Sequence, residues 1–173
     1  MPPGQPRRPI LRYTCVLVGE PSSRKTNLLS TYKLGHFPAE SAPTVLKENV
    51  VPVMDCNLDD GEISLSLWDT TGQEDYYSLR LTAYLNANVV LMRFTLGNSP
   101  DLYQLRDEWV LDDQEQCLRV PYILTGIKPD SSYNSTSQEI KGSKKLAIVT
   151  GAIGYIQCNP ENGSGIDNLF EMI

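Results

Sequence analysis

Apolar runs of strand length alternate along this chain with segments of helical spacing. Tyr13-Thr14-Cys15-Val16-Leu17-Val18 is a continuous apolar run, the mark of a strand buried on both faces. Asn27 to Tyr32 follows helical spacing, with Leu28, Leu29 and Tyr32 on one side. Lys47 to Leu58 and Glu62 to Trp68 flank Asp59-Asp60-Gly61, a hairpin signal. In the second arm Ile63, Leu65 and Leu67 alternate with Ser64, Ser66 and Trp68. Pro52 interrupts the first arm, and a proline cannot donate to a ladder, so that strand belongs at the sheet edge. Asn88–Phe94, Val120–Thr125 and Tyr155–Cys158 read as further strands. Asp101–Cys117, opened by Ser99-Pro100, reads as a helix, as do Gln138–Thr150 and the amphipathic Ile166–Ile173. Such alternation predicts an α/β fold of three layers, a six-stranded, mostly parallel sheet with one antiparallel edge strand and helices on both faces.

Composition narrows the class. The 173 residues suit one domain, and 40% apolar residues supply a core. The net charge of −6 and the lack of basic, aromatic-interleaved stretches argue against nucleic acid as a partner. Cys15, Cys56, Cys117 and Cys158 lie far apart, without metal-ligand or redox spacing, as in a reduced, cytoplasmic protein. The single His36 reads as a solvated loop residue. No apolar run is long enough for a transmembrane helix. Residues 1–9 hold four prolines and Arg7-Arg8 without an apolar stretch, which predicts a disordered lead-in to a domain over residues 10–173.

Candidate chemistry starts at Gly19-Glu20-Pro21-Ser22-Ser23-Arg24-Lys25-Thr26, between the first strand and the first helix. Strand, Gly-led turn, Lys-Thr and helix is the order of a phosphate-binding loop, and so of a P-loop NTPase. Backbone N–H groups and the helix start cradle phosphates, the Lys reaches the β/γ-phosphates and the Thr hydroxyl holds Mg2+. The pattern departs from G-x-x-x-x-G-K-[ST] at one position, where Arg24 replaces the second Gly. The candidate phosphate ligands are Gly19, Ser22, Ser23, Arg24, Lys25 and Thr26. One hairpin downstream, Asp69-Thr70-Thr71-Gly72 ends a strand. There an Asp can hold Mg2+ through water, and a Gly N–H can approach a γ-phosphate.

Val16-Leu17-Val18-Gly19, Lys25-Thr26, Phe37-Pro38, Pro43-Thr44-Val45, Trp68-Asp69-Thr70, Gly72-Gln73-Glu74-Asp75-Tyr76, Glu108-Trp109-Val110 and Leu169-Phe170-Glu171 together resemble a small GTPase of the Rho family. The resemblance runs from about Leu11 to Ile173. It implies a guanine-nucleotide switch that binds GTP or GDP with Mg2+ and hydrolyses GTP slowly. Thr26 and Thr44 would ligate the metal and Asp69 would hold its hydration shell. Gly72 would meet the γ-phosphate, and Gln73 would orient the attacking water, as the equivalent glutamine does in Ras. Lys128, Asp130, Asn159 and Pro160 would line the guanine. Residues 39–46 and 72–80 would be the switches met by effectors, exchange factors and GTPase-activating proteins, with the chain a monomer.

Three departures favour a second expectation, a pseudo-GTPase that keeps the fold and binds nucleotide weakly or not at all. Arg24 puts a Cβ and a guanidinium where backbone should touch phosphate, or else adds charge there. Ile127 stands where the family has Asn or Thr. Pro160 stands where an Ala N–H would donate to the guanine O6, and proline has no N–H. Sequence ends at Ile173 inside the expected last helix, so a lipid anchor, and with it membrane association, would have to come from residues beyond it.

Overall fold

The computed structural model of the chain describes residues 10–19, 25–37, 46–53, 62–70, 82–97 and 120–173, and of residues 10, 25, 26, 46–53, 62 and 63 the backbone alone. Six strands form one sheet: β1 (Ile10–Gly19), β2 (Leu46–Val53), β3 (Glu62–Thr70), β4 (Val89–Thr95), β5 (Tyr122–Ile127) and β6 (Gly154–Cys158). Their order is β2-β3-β1-β4-β5-β6. β1 pairs in parallel with β3 and β4, and β4-β5 and β5-β6 continue in parallel. β2 is an antiparallel edge strand in which Pro52 faces Ser64. Pro52 is tolerated there because an edge strand leaves one row of its backbone groups outside the ladder.

Helices cover both faces, as expected from the alternation. α1 (Lys25–Leu34) and α3 (Ile166–Glu171) lie on one face, where Leu28, Leu29, Ile166 and Leu169 pack with Cys15, Leu17, Leu65, Leu67 and Leu91. Tyr32 of α1 stacks on Phe170 of α3, ring centroids 3.6 Å apart. α2 (Ser137–Thr150) covers the other face, setting Leu146 and Ala147 against Val16, Val18, Val90, Met92 and Phe94. Thr136 caps α2 through its hydroxyl, which accepts from Glu139 N–H, and Gly151 closes it in the left-handed region at φ 81°.

Several bounds move. β5 begins at Tyr122 and runs to Ile127, because Ile123, Leu124 and Ile127 are fully buried beside β4. β1 extends to Gly19, because it pairs along its length with β3 and β4. The helix expected over residues 101–117, the hairpin turn at 59–61, residues 39–45 and 72–80 of the switch segments and the 1–9 lead-in lie outside the described residues. Cys15 and Cys158 are buried free thiols; Cys56 and Cys117 lie outside the described residues. His36 is exposed, as expected.

Candidate nucleotide site

In a parallel sheet the carboxyl ends of the strands gather at one edge, and ligands bind where the loops diverge. β1 ends there at Gly19, whose φ of 133° suits glycine alone. A Cβ at this position would lie 2.0 Å from the Arg93 carbonyl oxygen on β4, so the residue is also required by close approach. α1 begins at Lys25, and Leu28 and Leu29 hold it against β1 and β3. This places the positive start of the helix over the carboxyl ends of those strands, an arrangement suited to an anion. The backbones of Lys25 and Thr26 open α1; Ser22, Ser23, Arg24, Thr44, Gly72 and Gln73 lie outside the described residues.

Asp69 stands next to the end of β3, opposite Leu17 in register and 1% exposed. Strand alternation turns it to the α1 face, with Leu65 and Leu67. Its neighbour Thr70 donates its hydroxyl to the Leu17 carbonyl at 2.6 Å, locking the ends of β3 and β1 together. Gly19, Lys25 and Asp69 are therefore on one side of the domain. The buried Asp69 carboxylate is a hard oxygen donor at this end of the sheet. Mg2+ takes one or two such carboxylates, completing its shell with water and phosphate.

The residues expected to line the guanine lie in the loops after β5 and β6. Lys128 N–H donates to Cys158 C=O at 2.9 Å, and the buried Asn159 side chain donates to the Asp130 carbonyl at 3.0 Å. Asn159 also accepts from Glu161 N–H at 2.9 Å, and Glu161 accepts from Ser131 N–H at 2.9 Å. The exposed Asp130 carboxylate accepts from Ser132 N–H at 2.9 Å and from its hydroxyl at 2.6 Å, both through Oδ1. Pro160 is buried, and its carbonyl accepts from Thr31 of α1 at 3.0 Å. Lys128, Asp130, Asn159 and Pro160 thus come together, and Thr31 ties them to α1.

Residues 14–173 match the Ras family, and the chain is 35% identical to GTP-binding protein rho2 of Schizosaccharomyces pombe over 93% of its own length and 84% of that protein. The chain is a Rho-type small GTPase. It is also 34% identical to GTP-binding protein RHO2 of Saccharomyces cerevisiae, covering 94% of this chain and 87% of that protein. Identity to GTP-binding protein RHO1 of the same yeast is 34%, over 93% and 81%.

One buried charge escapes the motifs. Arg93 lies inside the apolar run of β4, is 0% exposed, and pairs in register with Gly19 on one side and Thr125 on the other. A charged residue within Val89-Val90-Leu91-Met92-Arg93-Phe94 is the signal that could have found it. Burial pushes its pKa down to about 10, opposed by Asp69 and the thiols of Cys15 and Cys158, so it stays charged at neutral pH. Burial raises both thiols, that of Cys158 to about 12, which leaves them unreactive.

Proposed function

We propose that this GTPase is a guanine-nucleotide-dependent switch that binds GTP or GDP with Mg2+ and hydrolyses GTP slowly. The observation that carries the proposal is the joining of two half-sites at one sheet edge. Gly19, the start of α1 and Asp69 form the phosphate end. Lys128, Asp130, Asn159 and Pro160 form the base end, held to α1 through Thr31. Lys25 contacts the β/γ-phosphates, with Gly19, Ser22, Ser23 and Arg24 along the loop. Thr26, Thr44 and Asp69 serve Mg2+, which when bound supplies positive charge at the phosphates. Asp130 accepts from the guanine N1–H and amino group. Gly72 holds the γ-phosphate. Gln73 orients a water whose oxygen attacks the γ-phosphorus while the bond to the β–γ bridging oxygen breaks. Hydrolysis is slow because positioning and charge carry phosphoryl transfer, and a partner must supply what this chain lacks. Effectors, exchange factors and activating proteins would meet residues 39–46 and 72–80 on a monomeric domain spanning 10–173, in the cytoplasm. Among the described residues no helix is long and apolar enough to cross a membrane.

A pseudo-GTPase is the second reading, favoured by Pro160. It lies at the base end without an N–H, and its carbonyl is already engaged by Thr31. Denaturing the purified chain and chromatographing what it releases separates the two. Stoichiometric guanine nucleotide supports the switch, and none, with no GDP binding on titration, supports the binding module.

A further inference from the structure

The outer face of α2 is unlike the rest of this acidic chain. Ser143, Leu146, Ala147 and Thr150 are buried and fix the helix to the sheet. The helical repeat puts Lys141, Lys144, Lys145, Ile148 and Val149 on the other side, and all five are exposed. Lys141 and Lys145, Lys144 and Ile148, and Lys145 and Val149 are neighbours four residues apart, so the five side chains form one stripe. Its apolar end is open to water, Ile148 at 79% and Val149 at 66% exposure. Ile153, two residues beyond the Gly151 cap, adds a third apolar side chain there, 56% exposed.

Nothing in the fold calls for this stripe. The three lysines repel one another at three- and four-residue spacing, which weakens a helix. None of them stands in the last turn, where the helix dipole favours a cation. Glu139 is the one carboxylate of α2, and it accepts from the Gly97 N–H and the Tyr133 hydroxyl, both at 2.8 Å. At their exposure Ile148 and Val149 gain little from burial, and both have lower helix propensity than Lys or Glu. Charges of mixed sign would serve folding better at these positions, so the stripe is explained by what it meets.

The make-up of the stripe selects the partner. Lysine is depleted from protein–protein interfaces, where aromatic residues and arginine are enriched, and the stripe has neither. Lysines beside aliphatic side chains on one helix face fit a lipid surface instead. The ammonium groups stay at the headgroups while the aliphatic side chains enter the acyl boundary. The net charge of −6 opposes such contact little, because fields fade over about 8 Å at physiological ionic strength and α2 holds one of the 21 acidic residues.

We propose that the outer face of α2, through Lys141, Lys144, Lys145, Ile148 and Val149, is a docking surface for an anionic membrane. The contact needs no lipid attached to the chain and is independent of the nucleotide reading. It turns the opposite face of the sheet, covered by α1 and α3, away from the lipid.

The test is co-sedimentation of the full chain with phosphatidylcholine vesicles, with and without about one third phosphatidylserine. The variants are Lys141→Gln/Lys144→Gln/Lys145→Gln and Ile148→Gln/Val149→Gln. All five positions are exposed, so both variants should keep the wild-type thermal midpoint within about 2 °C. Wild type should sediment with the phosphatidylserine vesicles and not with phosphatidylcholine alone, and the bound fraction should fall as salt rises. Each lysine at an anionic surface is worth about fivefold, so the triple variant should bind about a hundredfold more weakly. The double variant should bind about tenfold more weakly and keep the salt dependence. Equal binding by wild type and the triple variant overturns the proposal. Failure of the wild type to bind phosphatidylserine vesicles overturns it too, as does equal binding to both vesicle types. Wild-type binding to poly-glutamate with none to the vesicles overturns it in favour of an acidic protein partner.

Discussion

Replacing Thr31 with Val tests whether the two halves of the site are held together as the geometry indicates. Thr31 is 6% exposed in the middle of α1, and its hydroxyl reaches 129 residues along the chain to the Pro160 carbonyl at 3.0 Å. Valine keeps the β-branched shape and has nearly the same helix propensity, so the substitution removes little besides the hydrogen bond. The lost bond costs about 0.5–1.5 kcal/mol, and a buried carbonyl left unsatisfied costs about 1–3 kcal/mol. A destabilisation of about 2 kcal/mol follows. For a chain of this size, each kcal/mol moves the midpoint by about 2–4 °C, so thermal unfolding should begin about 4–8 °C lower. Urea titration should show a lower midpoint with an unchanged slope, because the change acts on the folded state. Thr31→Ser, which keeps the hydroxyl, should fall nearer wild type. A Thr31→Val midpoint within 1 °C of wild type would refute the tether.

Three further changes probe other parts of the structure. Gly165 has a φ of 77°, and a Cβ there would lie 2.1 Å from the Gln157 carbonyl, so Gly165→Ala should destabilise by about 3 kcal/mol or more, read from urea denaturation. Burial raises the Cys158 thiol from 9.0 to about 12. Its neutral form therefore contributes stability that is fully present below about pH 9 and lost as pH rises towards 12; Cys158→Ala should flatten that fall, and Ellman's reagent at pH 8 should label Cys158 only on unfolding. Gln73→Leu should abolish partner-stimulated GTP hydrolysis while leaving GDP affinity within about twofold, and an unchanged stimulated rate would remove Gln73 from the mechanism.

The fold was legible because its signals are periodic and local. The apolar run at Tyr13–Val18 can be satisfied only by burial on both faces, and Pro52 marks the edge before any pairing is known. The site was legible where its chemistry is contiguous in sequence, as in Gly19 to Thr26. It was less so where contacts join distant segments. Nothing local links Thr31 to Pro160, or Glu161 to Ser131, because those partners meet only once the sheet places β6 beside β5. Arg93 was missed for another reason. The lone charge in the apolar run of β4 is visible in the sequence, but a strand pattern does not show which face a helix covers, and only the fold makes Arg93 buried.

The departures from the family share a direction. At the base end, Ile127 and Pro160 remove polar groups. At the proposed phosphate end, Arg24 adds positive charge by its place in the sequence. On the proposed site, recognition would thereby shift from the guanine edge, which carries identity, to the phosphates, which every nucleotide shares. The two ends can be separated experimentally. Pro160→Ala restores an N–H, and a hydrogen bond worth about 0.5–1.5 kcal/mol should raise GDP affinity about 2- to 13-fold while leaving ADP nearly unchanged. Arg24→Gly acts on atoms common to both nucleotides and should change GDP and ADP affinity by similar factors, upward if the side chain obstructs the loop and downward if it serves as a phosphate ligand. Titrating each variant with fluorescent GDP and ADP gives the four constants. A change in guanine preference on Arg24→Gly, or equal gains for both nucleotides on Pro160→Ala, would break the division of labour between the two ends of the site.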